Sequence, residues 1–194
     1  MTRRNRRRAG ASARIDAKAR RDRKIRVLAS CAAIGAVISI AEGALLASGI
    51  WVNLSSSVPP GIYREDGGEI ARGDCVLSCI PGSAAAIAFE RGYVGWGACP
   101  FHTAPVGKLA AGIPGDKARI SSSGMEVNGT ALPGSAPLGT DGEGRELAPF
   151  NLDRTLGEGE YLLAGSTAQS YDSRYFGPAG EGEVKGRIKP IYLF

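Results

Sequence analysis

Residues 106–116 read Val-Gly-Lys-Leu-Ala-Ala-Gly-Ile-Pro-Gly-Asp, an apolar run that ends in a Pro-Gly turn. Its length and composition predict a buried β-strand. The run contains one basic residue, Lys108, near its start. Burial lowers the pKa of a lysine from its ordinary value, because apolar surroundings disfavour the ammonium form. A neutral amine can accept a proton from a serine hydroxyl, whereas a strand lysine more commonly extends its amine to water.

Further apolar runs between glycines and prolines predict a mostly β domain. The chain of 194 residues contains 28 glycines and 11 prolines, which favours many turns over long helices. The predicted strands are Cys75–Ile80, Val106–Ala111, Ala118–Ile120, Met125–Val127, Glu160–Ala164 and Gly186–Phe194. Asn128-Gly129 predicts a tight hairpin turn, and Ser83–Arg91 predicts a short helix. Residues 133–159 are polar and glycine-rich, and we expect a loop or a small excursion there.

The first 26 residues form a basic tail. They contain 12 Lys and Arg and two acids, so they carry +10, and the other residues carry −5 of the total of +5. A nucleic-acid-binding domain places its basic surface on the folded part of the chain. We therefore expect no nucleic-acid partner.

Residues 27–52 are apolar apart from Glu42 and predict a single transmembrane helix. A helix of this length extends about 39 Å, more than the roughly 30 Å hydrocarbon layer. Glu42 is either tolerated by the membrane or directed towards a partner helix. The basic tail predicts a cytoplasmic N-terminus in a bacterial inner membrane, with residues 53–194 as a periplasmic domain. The small residues over 44–49 leave a cleavable signal peptide as the alternative.

Three of the four cysteines, Cys75, Cys79 and Cys99, lie in the exported region. Disulfides persist in that compartment, and the odd number leaves one thiol free. With His102 these cysteines also have the spacing of a structural zinc site. The oxidising compartment favours a disulfide, so we expect neither a metal nor a cofactor.

Several hydrolase signatures are absent from the sequence, namely G-x-S-x-G, S-x-x-K, K-T-G, H-E-x-x-H and the P-loop. His102 is the only histidine, and its position near a cysteine and a proline predicts a loop residue. With these signatures absent, the remaining candidate for hydrolytic chemistry is a nucleophilic serine that is activated by a base other than histidine.

Two further segments place serines beside rigid turns. Residues 53–63 read Asn-Leu-Ser-Ser-Ser-Val-Pro-Pro-Gly-Ile-Tyr and directly follow the apolar segment. Residues 170–178 read Ser-Tyr-Asp-Ser-Arg-Tyr-Phe-Gly-Pro, in which Asp172 and Arg174 are able to pair. Each segment alone is a weak indication, because serines beside a Pro-Gly turn are common.

Together and in this order, the three segments resemble the motifs of the type I signal peptidase family, in particular its TraF-type conjugative-transfer branch. They match N-x-[ST]-x-S-x-P-x-G-x-Y, K-x-x-x-G-x-P-G-D and S-x-D-S-R-Y-x-G. The resemblance covers residues 50–190 and departs at Val58, where methionine or leucine is common, and at the additional Cys75. It implies a signal-peptidase-like β domain with serine endopeptidase activity.

The resemblance implies a role for several serines. Ser57 is expected to be the nucleophile and Lys108 the general base. Ser55 matches the position whose hydroxyl stabilises the oxyanion, with the backbone N–H of Ser57 as the second donor. Ser56 is the rival nucleophile, but only Ser57 leaves Ser55 in place for the oxyanion.

The same resemblance assigns supporting residues. Ser170 is expected to orient the amine of Lys108. Asp172 and Arg174 are expected to form an ion pair, and the role of Asp172 is the least defined of the set.

The TraF-type branch tends to carry a cysteine and a Cys-Pro pair on either side of an R-G-Y sequence. Cys79 and Cys99 match those positions, which implies a Cys79–Cys99 disulfide, with Cys75 as the alternative partner of Cys99.

The expected substrate is a conjugative pilin precursor, cut near small side chains and released by water or by its own N-terminus, which gives a circular subunit. Other expected partners are the inner membrane and components of a conjugative type IV secretion system. A general signal peptidase and a non-catalytic, anchored pilus-assembly factor are the alternatives.

Overall fold

The computed structural model describes four parts of the chain, namely residues 20, 23–40, 43 and 48–194. Most of the basic tail, Glu42 and much of the proposed cleavage region lie outside these described residues. Residues 23–40 are helical (α1), and apolar side chains such as Leu28 and Val37 are exposed on this helix. No helix within the described parts has both the length and the apolar character needed to cross a bilayer. The prediction of a transmembrane helix is therefore not confirmed.

The compact unit that carries the strands spans residues 49–194. It begins before the predicted boundary at residue 53, because Ile50–Asn53 form a strand instead of the end of a helix. The side chains of these residues alternate between buried and exposed positions, as in a strand at the surface of a sheet, which explains why they do not continue the helix. Trp51 packs against Tyr63, with ring centroids 5.9 Å apart, and Asn53 is buried, whereas Val52 between them is exposed.

Ten strands and two short helices build this unit. The strands are β1 (Ile50–Asn53), β2 (Gly61–Glu65), β3 (Cys75–Ser78), β4 (Val106–Gly112), β5 (Lys117–Ser121), β6 (Gly124–Val127), β7 (Thr130–Ala131), β8 (Leu152–Thr155), β9 (Leu162–Ala164) and β10 (Val184–Leu193). The helices are α2 (Gly82–Glu90) and α3 (Ser173–Phe176), and Pro100–His102 form a 3₁₀ turn. One antiparallel sheet has the order β1-β2-β10-β3-β4-β9, and a second has the order β7-β6-β5-β8.

All six strands predicted from apolar runs are present, with shifted ends. The predicted hairpin turn is also present, because Asn128 and Gly129 both have positive φ, at 51° and 78°. Strands β1, β2 and β8 were not predicted. Strand β8 lies in the region for which a loop or a small excursion was expected. Its side chains are mostly exposed, so it lacks an apolar pattern.

Buried apolar clusters stabilise the two sheets. Val58, Tyr63, Leu77 and Ile188 form one cluster at the first sheet, whereas Ile120 and Met125 of the second sheet pack with Leu156 and with Leu162 of β9, so this second cluster joins the two sheets. Helix α2 packs through Ala85 and Ala88 against Ile80 and Phe176. Strand β4 lies between β3 and β9. Lys108 pairs with Val76 of β3, and the pairing with β9 begins at the next residue, Leu109.

Candidate active site

Lys108 contacts two serines that are distant from it in the sequence. Its Nζ donates hydrogen bonds to Ser57 Oγ at 2.9 Å and to Ser170 Oγ at 2.6 Å. The two serine oxygens lie 3.3 Å apart. The three polar groups therefore form a closed triangle in which a proton can pass from Ser57 to Lys108.

Burial changes the acidity of Lys108. The residue is 2% exposed, and this desolvation lowers the pKa of its ammonium group from 10.5 to about 8. The Asp172 carboxylate opposes the shift, and the Arg174 guanidinium adds to it. At pH 8 about half of the amines are neutral, so Lys108 can act as a base under mild conditions.

Asn53 organises the loop that carries Ser57. Its Nδ2 donates to the carbonyl oxygens of Ser55, Val58 and Pro59 at 3.0, 2.8 and 3.2 Å. The hydroxyl of Tyr63 also donates to the Pro59 carbonyl, at 2.6 Å. The buried amide thus satisfies several carbonyls of a loop that has no strand partner. Asn53 was matched in the sequence motif, but no role was assigned to it.

The other two serines of this loop make different contacts. The hydroxyl and the backbone N–H of Ser55 both donate to Asn53 Oδ1, at 2.8 and 2.9 Å. Ser55 and Ser56 line the same cleft as Ser57, but Ser56 makes no hydrogen bond to Lys108. This geometry favours Ser57 over Ser56 as the group that Lys108 deprotonates. The Ser55 hydroxyl has to turn away from Asn53 before it can donate to an oxyanion.

Gly165 and Ser166, which directly follow β9, contact the residues of the site. The backbone N–H and the hydroxyl of Ser166 both donate to the Ser57 carbonyl, at 2.8 and 2.9 Å. A Cβ atom at Gly165 would lie 2.0 Å from Ser170 Oγ, so only glycine fits beside that serine. Sequence reasoning missed both residues, because a Gly-Ser pair after a strand has no distinctive signal.

Asp172 and Arg174 form a buried, bidentate ion pair. The guanidinium donates to the two carboxylate oxygens at 2.8 Å each, and both side chains are at most 1% exposed. Asp172 also accepts from the N–H of Gly165 at 2.8 Å, and Arg174 donates to the carbonyls of Thr167 and Ser170 at 3.1 Å. The pair therefore shapes the loop that presents Ser170, and it makes no hydrogen bond to Lys108.

The disulfide joins Cys79 to Cys99, whereas Cys75 has a free thiol. His102 is an exposed residue of the 3₁₀ turn, with its ring stacked on Trp96. Among the described residues, no three His, Cys, Asp or Glu side chains are grouped to hold a metal ion. The Cys79–Cys99 disulfide implied by the sequence resemblance is therefore confirmed.

A cleft of about 300 Å³ opens from the Ser57–Lys108 contact. Its walls include Tyr93 and Leu138, which belong to segments far apart in the sequence, and Tyr171. The arrangement is able to hold a peptide carbonyl at Ser57, and the Ser57 N–H, which makes no hydrogen bond within the described residues, is available to an oxyanion.

Comparisons with known proteins identify the family. The family model for signal peptidase, peptidase S26, matches residues 27–193. A plasmid transfer protein TraF from Escherichia coli is 36% identical over 160 residues, which cover 81% of this chain and 90% of that protein. A conjugal transfer protein TraF from Agrobacterium tumefaciens (strain 15955) is 34% identical over 160 residues, with coverage of 81% and 90%.

A solved signal peptidase I from Enterococcus faecalis V583 is 18% identical, and the match has a TM-score of 0.36 and covers 63% of this chain and 98% of that chain. The family model and the TraF relatives each cover most of this chain. The chain therefore belongs to the signal peptidase family, peptidase S26, as a TraF-type signal peptidase with a mostly β fold.

Proposed function

We propose that the protein is a membrane-anchored serine endopeptidase that matures a conjugative pilin precursor. The observation that carries this proposal is the buried Lys108 Nζ, 2.9 Å from Ser57 Oγ and with its pKa lowered to about 8. An assembly factor without catalysis has no need for a buried, partly neutral lysine, because burying this group weakens the fold.

Acylation begins at Ser57. As Ser57 Oγ bonds to the scissile carbonyl carbon, its proton moves to Lys108 Nζ. The oxyanion accepts hydrogen bonds from the Ser57 N–H and from the Ser55 hydroxyl, which turns from Asn53 towards it. When the peptide C–N bond breaks, the Lys108 ammonium returns the proton to the leaving amine. The product is an ester between the pilin and Ser57.

Release of the pilin regenerates Ser57. Water attacks the ester carbonyl, or the amino terminus of the same pilin attacks it in its neutral form. Lys108 accepts the proton of the attacking group and returns it to Ser57 Oγ. The first route consumes one water and gives a linear acid. The second route consumes none, so its cyclic peptide is lighter than that linear acid by the mass of one water.

The sequence supports the proposed location, and the relatives support the proposed partners. The basic tail and the apolar residues 27–52 support an inner-membrane anchor with a cytoplasmic N-terminus and a periplasmic catalytic domain. The exposed apolar side chains of α1 agree with such a segment. The relatives are described as plasmid or conjugal transfer proteins, which supports a pilin substrate and contact with a conjugative type IV secretion system.

The first test is the intact mass of the cognate pilin after co-expression with the full-length protein. We expect a shortened pilin with wild type, an unchanged precursor with Ser57→Ala, and a shortened pilin with the matched control Ser56→Ala. A further loss of one water indicates cyclisation. Equal pilin masses with wild type and Ser57→Ala would refute the proposal and favour the assembly factor.

The second test is the pH profile of cleavage. Activity should rise with pH through about 8 and then level, because the neutral form of Lys108 is the base. A profile controlled by a group near pH 6.5, and lost in His102→Ala, contradicts this assignment.

A further inference from the structure

The cleft beside Ser57 extends well past the reacting groups. Its lining includes Tyr93 and Val94, which lie within the loop closed by the Cys79–Cys99 disulfide, and Leu138 and Leu147 of a later segment. Tyr171, directly after Ser170 in the chain, also lines it. A volume of about 300 Å³ next to the nucleophile exceeds what the small side chains expected at the scissile bond require.

Three aromatic rings, those of Tyr93, Tyr171 and Tyr175, line this part of the cleft. The ring of Tyr171 lies 5.1 Å from that of Tyr93 and 5.5 Å from that of Tyr175, with the planes of Tyr171 and Tyr175 within 5° of parallel. Phe176 contacts Tyr171 edge-on at 5.8 Å. Because these rings support one another, the face that they present to the cleft is rigid and apolar.

Two of the three tyrosine hydroxyls in this group of rings are already paired. Tyr93 donates its hydroxyl hydrogen bond to Asp141, and Tyr175 accepts one from the N–H of Leu138 at 2.8 Å. The hydroxyl of Tyr171 makes no hydrogen bond within the described residues, although the ring is half-buried. A half-buried hydroxyl that lines a cleft is available to a bound peptide group.

Charge does not favour an ionic occupant. The Asp141 carboxylate lines the cleft, but its two oxygens accept from the N–H groups of Glu143 and Arg145, from the Arg145 side chain and from Tyr93. Its hydrogen-bonding capacity is therefore used to hold the wall at residues 139–147. Lys108, at the inner end, is engaged with its two serines.

We infer that this cleft is a subsite for one large apolar or aromatic side chain of the substrate, which packs against the ring of Tyr171 and beside Leu138. The inference rests on the proposed function, since the subsite opens directly from Ser57. It adds a requirement to the substrate class, namely a bulky residue close to the scissile bond in addition to the small ones. Tyr171 is then a specificity-determining residue that takes no part in proton transfer.

Binding of two small amides tests the subsite without depending on catalysis. The probes are N-acetyl-L-phenylalaninamide and N-acetyl-L-alaninamide, and their affinities for the detergent-solubilised, full-length protein are measured by saturation-transfer NMR. We expect the phenylalanine amide to bind at least about tenfold more tightly, because burial of the larger apolar side chain is more favourable. Leu138→Trp fills the cleft and should abolish this preference.

Ile191→Trp is the matched control, because it enlarges an exposed apolar residue of β10 outside the cleft. It should retain the tenfold preference, and it also corrects for partition of the probes into detergent. Tyr171→Ala provides a second variant, and circular dichroism verifies that each variant is folded. Equal affinities in wild type, or a preference that survives both cleft variants, would overturn the inference.

Labelling with a small fluorophosphonate separates this result from the proposed function. Wild type should be labelled at Ser57 and Ser57→Ala should not. If Ser57 is labelled but the two amides bind equally, the subsite is refuted and the peptidase proposal stands. If the phenylalanine amide binds tenfold more tightly but Ser57 is not labelled, the peptidase proposal is refuted and the aromatic pocket stands.

Discussion

Replacing Lys108 with methionine should abolish cleavage and, at neutral pH, stabilise the protein. Methionine fills nearly the same volume, so the substitution removes the amine with little change in packing. The side chain is 2% exposed on a strand held from both sides, so the buried ammonium is a net cost to folding.

The lowered pKa sets the size of the effect. Below pH 8 the amine is charged in both folded and unfolded states, and the cost of burying it is fully present. Between pH 8 and 10.5 the folded protein loses this proton while the unfolded chain keeps it, so the stability of wild type rises with pH. Each pH unit corresponds to about 1.4 kcal/mol, which makes the whole cost about 3 kcal/mol.

Part of this cost is offset by the hydrogen bonds that methionine cannot make. The two bonds from Lys108 to Ser57 and Ser170 contribute about 1 kcal/mol each. We therefore expect Lys108→Met to be about 1 kcal/mol more stable than wild type at pH 6.5. At pH 9.5 the order should reverse, because wild type gains about 2 kcal/mol relative to the variant.

Urea unfolding of the full-length protein in detergent, followed by tryptophan fluorescence at both pH values, measures this difference. Lys117→Met is the control, since that lysine is 68% exposed on β5 and its loss should leave the pH dependence as in wild type. A stability difference between Lys108→Met and wild type that is the same at both pH values would refute the reasoning.

Three other perturbations test the surroundings of the reacting groups. Gly165→Ala places a Cβ atom 2.0 Å from Ser170 Oγ, so kcat should fall at least about tenfold with little change in KM, as measured by initial rates on the pilin; an unchanged kcat contradicts this packing. Ser55→Ala should lower kcat by about 10²–10³-fold if its hydroxyl stabilises the oxyanion, while Ser56→Ala retains most activity; equal losses in the two variants argue against that role. Reduction of the disulfide, which closes a separation of 20 residues, should lower the unfolding free energy by about 3 kcal/mol in urea titrations; an unchanged midpoint means that the loop is held by other contacts.

The sequence was informative where the chemistry is local. Alternating or continuous apolar runs predicted the strands that bury their side chains, and Asn128-Gly129 predicted a turn that needs two residues with positive φ. Strand β8 was not predicted, because its exposed side chains follow no apolar pattern. Strand β1 was read as the end of an apolar helix, since the membrane and a sheet favour the same residue types.

The residues of the candidate site also fall into two groups, those that were recognisable from the sequence and those that were not. The serine, lysine and Asp-Arg motifs were recognisable because each lies within a few residues and contains uncommon combinations. Gly165 and Ser166 were not recognisable, because their importance depends on contacts with Ser57 and Ser170 that only folding creates. The same holds for the wall at Leu138, which lies in a segment that appeared to be a polar loop.

The sequence by itself determined which groups are available for chemistry, namely the serines, the lysine on an apolar strand and the cysteines. Tertiary structure decided what they do, because Ser57 and Ser170 lie 51 and 62 positions from Lys108 in the chain and meet it only when β4 and its neighbouring loops assemble. It also decided the acidity of Lys108, since desolvation depends on what surrounds the amine in space. Sequence patterns report local composition, whereas burial and contact are properties of the packed chain.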